Sequence, residues 1–200
     1  MIAIIDYGAG NLKSVKHALD FLGAECKITS SPDEILSADK VILPGVGAFG
    51  DAMDALVKSG MVEVINQVVD KNIPLLGICL GLQLMFEESE ETPEVKGLGL
   101  FKGKIVKIPD TGLKIPHMGW NSIELAKDSR ILKDIGEEPY VYFVHSYYLE
   151  TPDTNVVSAY TEYGARLGIA VEEGNVFATQ FHPEKSGDVG MRILENFINL

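Results

Sequence analysis

The stretch Leu75-Leu76-Gly77-Ile78-Cys79-Leu80-Gly81-Leu82-Gln83-Leu84-Met85-Phe86 carries a cysteine from an apolar strand directly into a helix. Gly-x-Cys-x-Gly has the spacing of a nucleophile elbow, a sharp strand-to-helix turn whose flanking glycines let neighbouring backbone approach closely. A thiol at a helix start meets unpaired N–H groups and the positive end of the helix dipole, both of which favour the attacking thiolate. A cysteine after an apolar run is more commonly a small buried hydrophobe, so the elbow by itself leaves both readings open. A second segment supplies a base. Val176 to Phe181 reads as a strand and runs into His182-Pro183-Glu184-Lys185-Ser186. Proline holds the backbone extended, residues two apart then point the same way, and Glu184 can fix the tautomer of the His182 imidazole. A histidine oriented by a carboxylate is what a cysteine nucleophile requires. The competing reading of His182 is a turn histidine satisfied by backbone. Both Cys79 and His182 fall at strand ends, where an open α/β sheet places its site.

A third segment, Val41-Ile42-Leu43-Pro44-Gly45-Val46-Gly47-Ala48-Phe49-Gly50-Asp51, is a short strand followed by three glycines in six residues. Such a loop can present backbone N–H groups to a developing oxyanion. The donors are expected to be Leu80 N–H together with Val46 or Gly47. The loop lacks the order of a P-loop, and no Gly-x-Gly-x-x-Gly follows the first strand.

Positioning these residues needs a sheet. The first half alternates strands (Ile2 to Tyr7, Glu25 to Thr29, Val41 to Leu43, Pro74 to Cys79) with helices at Leu12 to Leu22, Ser31 to Leu36 and Asp51 to Lys71. That alternation implies a parallel sheet covered on both faces, an α/β class. From Gly97 the rhythm turns to strands at Gly103 to Pro109, Trp120 to Leu125, Tyr140 to Tyr148, Val156 to Tyr163 and Leu167 to Glu172, read as antiparallel. A helix from about Val189 closes the chain. With 200 residues, 46% hydrophobic content and no internal repeat, a single domain over 1–200 is expected.

The net charge of −12 argues against general nucleic-acid binding. No apolar run approaches a membrane span, no basic leader precedes the first strand, and Cys26 and Cys79 are too few for a disulfide framework. A cytoplasmic protein is expected. The acidic run Glu87 to Glu94 lacks the turn of a calcium loop and reads as a solvated helix end and loop. His17, His117, His145 and His182 show no metal-ligand spacing, so neither a metal nor another cofactor is expected. Gln83, one turn after Cys79, lies on its side of the helix and could meet substrate, although a polar surface residue fits the pattern equally.

Together the elbow, the glycine loop and His-Pro-Glu resemble the class I glutamine amidotransferases, which release ammonia from glutamine with a Cys-His-Glu triad. The resemblance implies a flavodoxin-like mixed sheet, Cys79, His182 and Glu184 as triad, and glutamine binding by Gly47, Gln83, Ser146 and Tyr147. Within that class the chain is most similar to the glutaminases of histidine biosynthesis. Asp6 to Val15, Pro116 to Asn121, Tyr142 to Tyr147 and Phe181 to Ser186 carry this narrower likeness. It implies a heterodimer with a (β/α)₈-barrel cyclase that combines ammonia with a phosphoribosyl-imidazole-carboxamide precursor (PRFAR). It also implies an interface at Asn11, Trp120, Tyr142 and Lys185, and a glutaminase nearly idle until the cyclase binds its ligand. Rival readings are a glutaminase serving anthranilate, aminodeoxychorismate or pyridoxal phosphate synthesis, an inactive interaction module, and a cysteine peptidase on the same sheet.

Overall fold

A computed structural model describes residues 1–200. Strand β1 (Ile2–Ile5) is apolar throughout and buried on both faces, as a central parallel strand must be. Helix α1 (Leu12–Phe21) follows and buries Val15, Ala18 and Leu19. Then come β2 (Cys26–Thr29), the short α2 (Pro32–Leu36) and β3 (Lys40–Gly45). The expected single helix Asp51 to Lys71 is instead two, α3 (Phe49–Lys58) and α4 (Met61–Asp70). Gly60 between them has φ 73°, a left-handed conformation that ends the first helix and redirects the chain. Strand β4 (Leu75–Cys79) leads without a loop into α5 (Leu80–Leu84).

The acidic run does not continue that helix. Glu88–Ser89 forms the short β5, and the glutamates clasp backbone donors. Glu87 accepts from Gly103 N–H at 2.8 Å, Glu90 from Lys107 N–H at 3.0 Å and Glu91 from Phe49 N–H at 2.8 Å. Glu91 thereby satisfies one of the orphan donors opening α3, a helix whose cap residue, Ala48, has no side-chain acceptor. The run is thus a structural tie as well as a charged surface.

The second half holds β6 (Lys104–Lys107), β7 (His117–Ser122), β8 (Glu124–Leu125), β9 (Tyr140–His145), β10 (Tyr147–Glu150), β11 (Val157–Glu162), β12 (Arg166–Glu173) and β13 (Val176–Thr179), then α6 (Gly187–Ile198). Two expected strands are broken. Trp120 to Leu125 divides at Ile123 and Tyr140 to Tyr148 divides at Ser146, because each chain segment changes sheets there. β7 and β9 pair only with each other, as a ribbon in the register His117↔His145 to Ser122↔Tyr140, whereas β8 and β10 belong to the main sheet.

The main sheet runs β2-β1-β3-β4-β13-β12-β10-β6-β5, with β11 and β8 attached beside β12. Its first five strands are parallel in the flavodoxin-like order, and β12, β10 and β6 extend it antiparallel. Alternate residues of β1 enter different cores: Ala3 and Ile5 join one cluster of 28 buried residues, Ile2 and Ile4 another of 25. The near-equal clusters place helices on both faces. No helix is long and apolar enough to cross a membrane.

Candidate active site

Strand β4 lies between β3 and β13, so three parallel carboxyl ends converge. In register, Gly45 faces Cys79 and Thr179 faces Ile78. The glycine loop after β3 and the His182 turn after β13 therefore flank Cys79 by topology alone. Cys79 itself has φ 56° and ψ −109°, a conformation that a residue with a Cβ rarely adopts. The glycines around it have steric work. A Cβ on Gly81 would stand 2.0 Å from the Leu43 carbonyl oxygen, and one on Gly77 would stand 2.8 Å from the Met85 methyl. Gly45 is equally confined, with Gly81 N and Leu80 Cβ each 2.9 Å from its own Cβ position. The turn is tight because its neighbours have no side chains.

His182 is buried and within hydrogen-bonding reach of Cys79. Its Nδ1 is 2.8 Å from Glu184 Oε1, and the two side chains are 2% and 0% exposed. Burial pulls the imidazole pKa down, but the hydrogen bonds to Cys79 and Glu184, with their negative charges, prevail and raise it to about 9. The turn that carries the pair is braced twice: His182 N–H donates to the Tyr142 carbonyl at 3.0 Å, and Ser186 Oγ donates to the His182 carbonyl at 2.6 Å. Tyr7, from the loop after β1, donates its hydroxyl to the Pro44 carbonyl at 2.9 Å and so holds the start of the glycine loop. Burial, together with the nearby charge of Cys79, pushes the Tyr7 phenol above its ordinary pKa.

A cavity of about 320 Å³ opens over Cys79. Val46, Gly47, Leu80, Gln83, Ser146, Tyr147 and His182 all line it, while Glu184 stands behind the imidazole. Gln83 is buried rather than on the surface; its amide N–H groups go to the Tyr147 carbonyl at 3.2 Å and Gln180 Oε1 at 3.0 Å. The remaining wall was not foreseen from the sequence. It includes Glu91, Pro116, Val144 and His145. Glu91 sat in a run of carboxylates in which no one member stood out, and only the hydrogen bond to α3 turns it inward.

Asn11, Trp120, Tyr142 and Lys185 lie outside the cavity. Trp120 and Tyr142 are cross-strand partners in the ribbon with ring centroids 6.1 Å apart. Tyr142 N–H donates to Ser186 Oγ at 2.9 Å, which attaches the ribbon to the His182 turn, and Lys185 is exposed on that turn. Asn11 is half-buried at the start of α1 without a side-chain capping bond. Met118, Trp120 and Tyr140 leave an exposed apolar face on the ribbon at 59%, 57% and 50% exposure.

Residues 3–200 match the glutamine amidotransferase class-I family. The chain is 52% identical over 197 residues to the imidazole glycerol phosphate synthase subunit HisH of Caldanaerobacter subterraneus subsp. tengcongensis, covering 98% of this chain and 97% of that one. It is 50% identical to the HisH subunit of Methanocaldococcus jannaschii, with both chains covered in full. Among solved structures, a glutamine amidotransferase superposes with TM-score 0.77 at 21% identity over 98% of this chain and 99% of that one. PurLQS from Thermotoga maritima superposes with TM-score 0.78 at 20% identity over 99% and 97%; at such identities the likeness is one of fold. A buried thiol, imidazole and carboxylate in sequence beneath a small cavity, on a sheet of this order and with relatives of this identity, place the chain in the class I glutamine amidotransferase family, among the HisH subunits of imidazole glycerol phosphate synthase.

Proposed function

We propose that this chain hydrolyses L-glutamine to L-glutamate and ammonia through a cysteine thioester and supplies the ammonia to a (β/α)₈-barrel cyclase in histidine biosynthesis. The observation that carries the reading is Cys79, on a strained elbow at the floor of the cavity, joined to a buried His182 that Glu184 orients. His182 accepts the Cys79 proton as the sulfur is engaged, a transfer that its pKa, raised to about 9, favours. The sulfur attacks the side-chain carbonyl carbon of glutamine. The resulting oxyanion is held by Leu80 N–H and by the peptide at Val46 and Gly47. As the carbon–nitrogen bond breaks, His182 gives its proton to the departing amine and ammonia leaves. The γ-glutamyl thioester is then attacked by water, from which the now neutral His182 takes a proton; the sulfur departs and glutamate forms. Glu184 holds the imidazole in place throughout. At the other end of the substrate, the Glu91 carboxylate is suited to the α-ammonium, with Gly47, Gln83, Ser146 and Tyr147 around the α-carboxylate.

Free ammonia would be wasted, so the reaction calls for a consumer. The HisH relatives are synthase subunits by name, which supports, as partner of this chain, the cyclase that converts PRFAR to imidazole glycerol phosphate and AICAR. The exposed ribbon face of Met118, Trp120 and Tyr140, together with Tyr142, Lys185 and Asn11, is the docking surface. The glycine-flanked peptides of the oxyanion loop can turn at low steric cost, which gives a route to activation when the cyclase binds its ligand. Glutamate release, measured for the chain alone, with cyclase, and with cyclase plus PRFAR, tests the whole reading. Turnover is expected mainly in the last mixture. Strong turnover by the isolated chain, indifferent to the cyclase, would leave the triad and remove the partner.

A further inference from the structure

Along the cavity wall and behind it runs a chain of largely buried polar groups that lies outside the triad. It begins at the Tyr147 carbonyl, which can only accept. His145 Nδ1, 2.9 Å away, must therefore donate to it, and so must Gln83 Nε2 at 3.2 Å. That fixes the Gln83 amide: its second N–H is directed at Gln180, 3.0 Å away, which must present its oxygen. The nitrogen of Gln180 is then turned to the Cys79 sulfur, at 3.8 Å. Exchanging oxygen and nitrogen on Gln180 would set two NH₂ groups face to face and a carbonyl against the sulfur. On the other side the logic continues outward. His145 Nε2, left as acceptor, takes the Nδ1–H of His117 at 3.0 Å, and His117 Nε2 takes an N–H of Asn121 at 3.3 Å. Asn121 is held in turn by the Glu162 carbonyl at 2.9 Å. Each donating nitrogen of the chain has an acceptor, and both histidines serve in their neutral forms.

We infer that Gln180 is a further residue of the reacting centre: it donates its side-chain N–H to the Cys79 sulfur as negative charge gathers there, and it locks Gln83 against the cavity wall. The inference rests on Cys79 being the nucleophile. Gln180 is fully buried at the end of β13, two residues before His182, so one short segment brings both groups to the sulfur. An amide N–H near a thiolate favours the charged form, and in a dry site that preference is strong. The other titratable groups facing the sulfur are His182 and Tyr7, which the experiment leaves in place.

The test is the pH dependence of iodoacetamide alkylation at Cys79 in the full chain, with mass spectrometry separating it from Cys26. Gln180→Met keeps length and apolar bulk and loses the donor. The apparent midpoint of alkylation is expected to rise by about one pH unit, a roughly tenfold loss of reactive thiolate below the midpoint. A midpoint unchanged within about 0.2 unit overturns the inference, since a residue that served packing alone would not move it. Should the variant fail to fold, the wild-type protein decides. With ¹⁵N labelling, the Gln180 side-chain amide protons are expected to shift with the same midpoint as alkylation, and resonances that stay still through that range overturn the inference. The readout needs no glutamine turnover. A Cys79→Ala protein that still releases glutamate would instead overturn the nucleophile assignment.

Discussion

The end of strand β4 and the β7–β9 ribbon both border the cavity, yet they are built on opposite principles. The β4 end is made of absences. Gly77, Gly81 and Gly45 give up side chains so that backbone can approach within contact distance, and Cys79 is forced into a rare conformation between them. The ribbon is made of side chains. Phe143, His117 and Tyr163 stack with centroids 4.5 and 4.0 Å apart, and the imidazoles of His117 and His145 carry a hydrogen-bond chain through the interior. One region exists to present a single sulfur at a fixed angle. The other supplies a wall on its inner side and an apolar face on its outer side. The difference also appears in charge: in the elbow region His182 holds its proton up to about 9, whereas burial pushes His117 and His145 down to about 4.

The two regions differ most at the sulfur. Cys79→Ala is expected to keep the fold and to lower glutamine turnover by about 10⁴-fold or more, measured as glutamate release with cyclase and ligand present. Comparable turnover in that variant would remove the elbow's purpose. Next in size is a contrast between glycines. Gly81→Ala drives a Cβ to 2.0 Å from the Leu43 carbonyl oxygen and is expected to cost about 3 kcal/mol or more in urea unfolding. Gly119→Ala in the ribbon meets no atom within 4 Å and bears only the strain of its φ of 122°, about 1 to 2 kcal/mol. Equal costs would mean that the elbow is not sterically closed.

The smallest effect is in the pH dependence of stability, where the two regions act with opposite sign. A histidine whose pKa falls on folding stabilises above its unfolded value of 6.5 and loses that contribution as pH drops toward about 4. His117 and His145 therefore set part of the acid limb. His182, raised on folding, contributes below 6.5 and loses the contribution as pH climbs through about 9. His145→Phe is expected to cost about 1 to 3 kcal/mol at neutral pH, from the unpaired His117 donor, and to flatten the acid limb while leaving the alkaline one. Denaturation curves between pH 4 and 10 read both limbs, and an alkaline limb that flattens instead would reverse the assignment.

How much could be read beforehand follows the same division. The parallel strands announce themselves as short apolar runs, and Cys79, His182 and Glu184 sit in local patterns whose spacing has a steric or directional reason. A single helix over Asp51 to Lys71 fits the sequence because the apolar period runs on either side of Ser59-Gly60; only the left-handed Gly60 separates α3 from α4. The strand from Tyr140 to Tyr148 is divided for a related reason. Alternation persists through Ser146, while the partner strands change from the ribbon to the main sheet. Glu91 and Gln180 are not legible in the sequence, since nothing local distinguishes one glutamate in an acidic run, or a glutamine at a strand end, until distant backbone and sulfur come within reach.

By itself the sequence determined the alternation that makes a parallel sheet, the glycines that permit the elbow, and the short-range pairing of His182 with Glu184. These depend on neighbours within a few residues, where backbone sterics and side-chain period decide the outcome. Tertiary structure alone decided which strands adjoin β4, that Glu91 points into the cavity, and that Gln180, Gln83, His145 and His117 form one directed hydrogen-bond chain. The partners in that chain lie as far apart as 97 residues in sequence. Such bonds form only after the sheet has closed over them, and burial then requires that each donor find its acceptor.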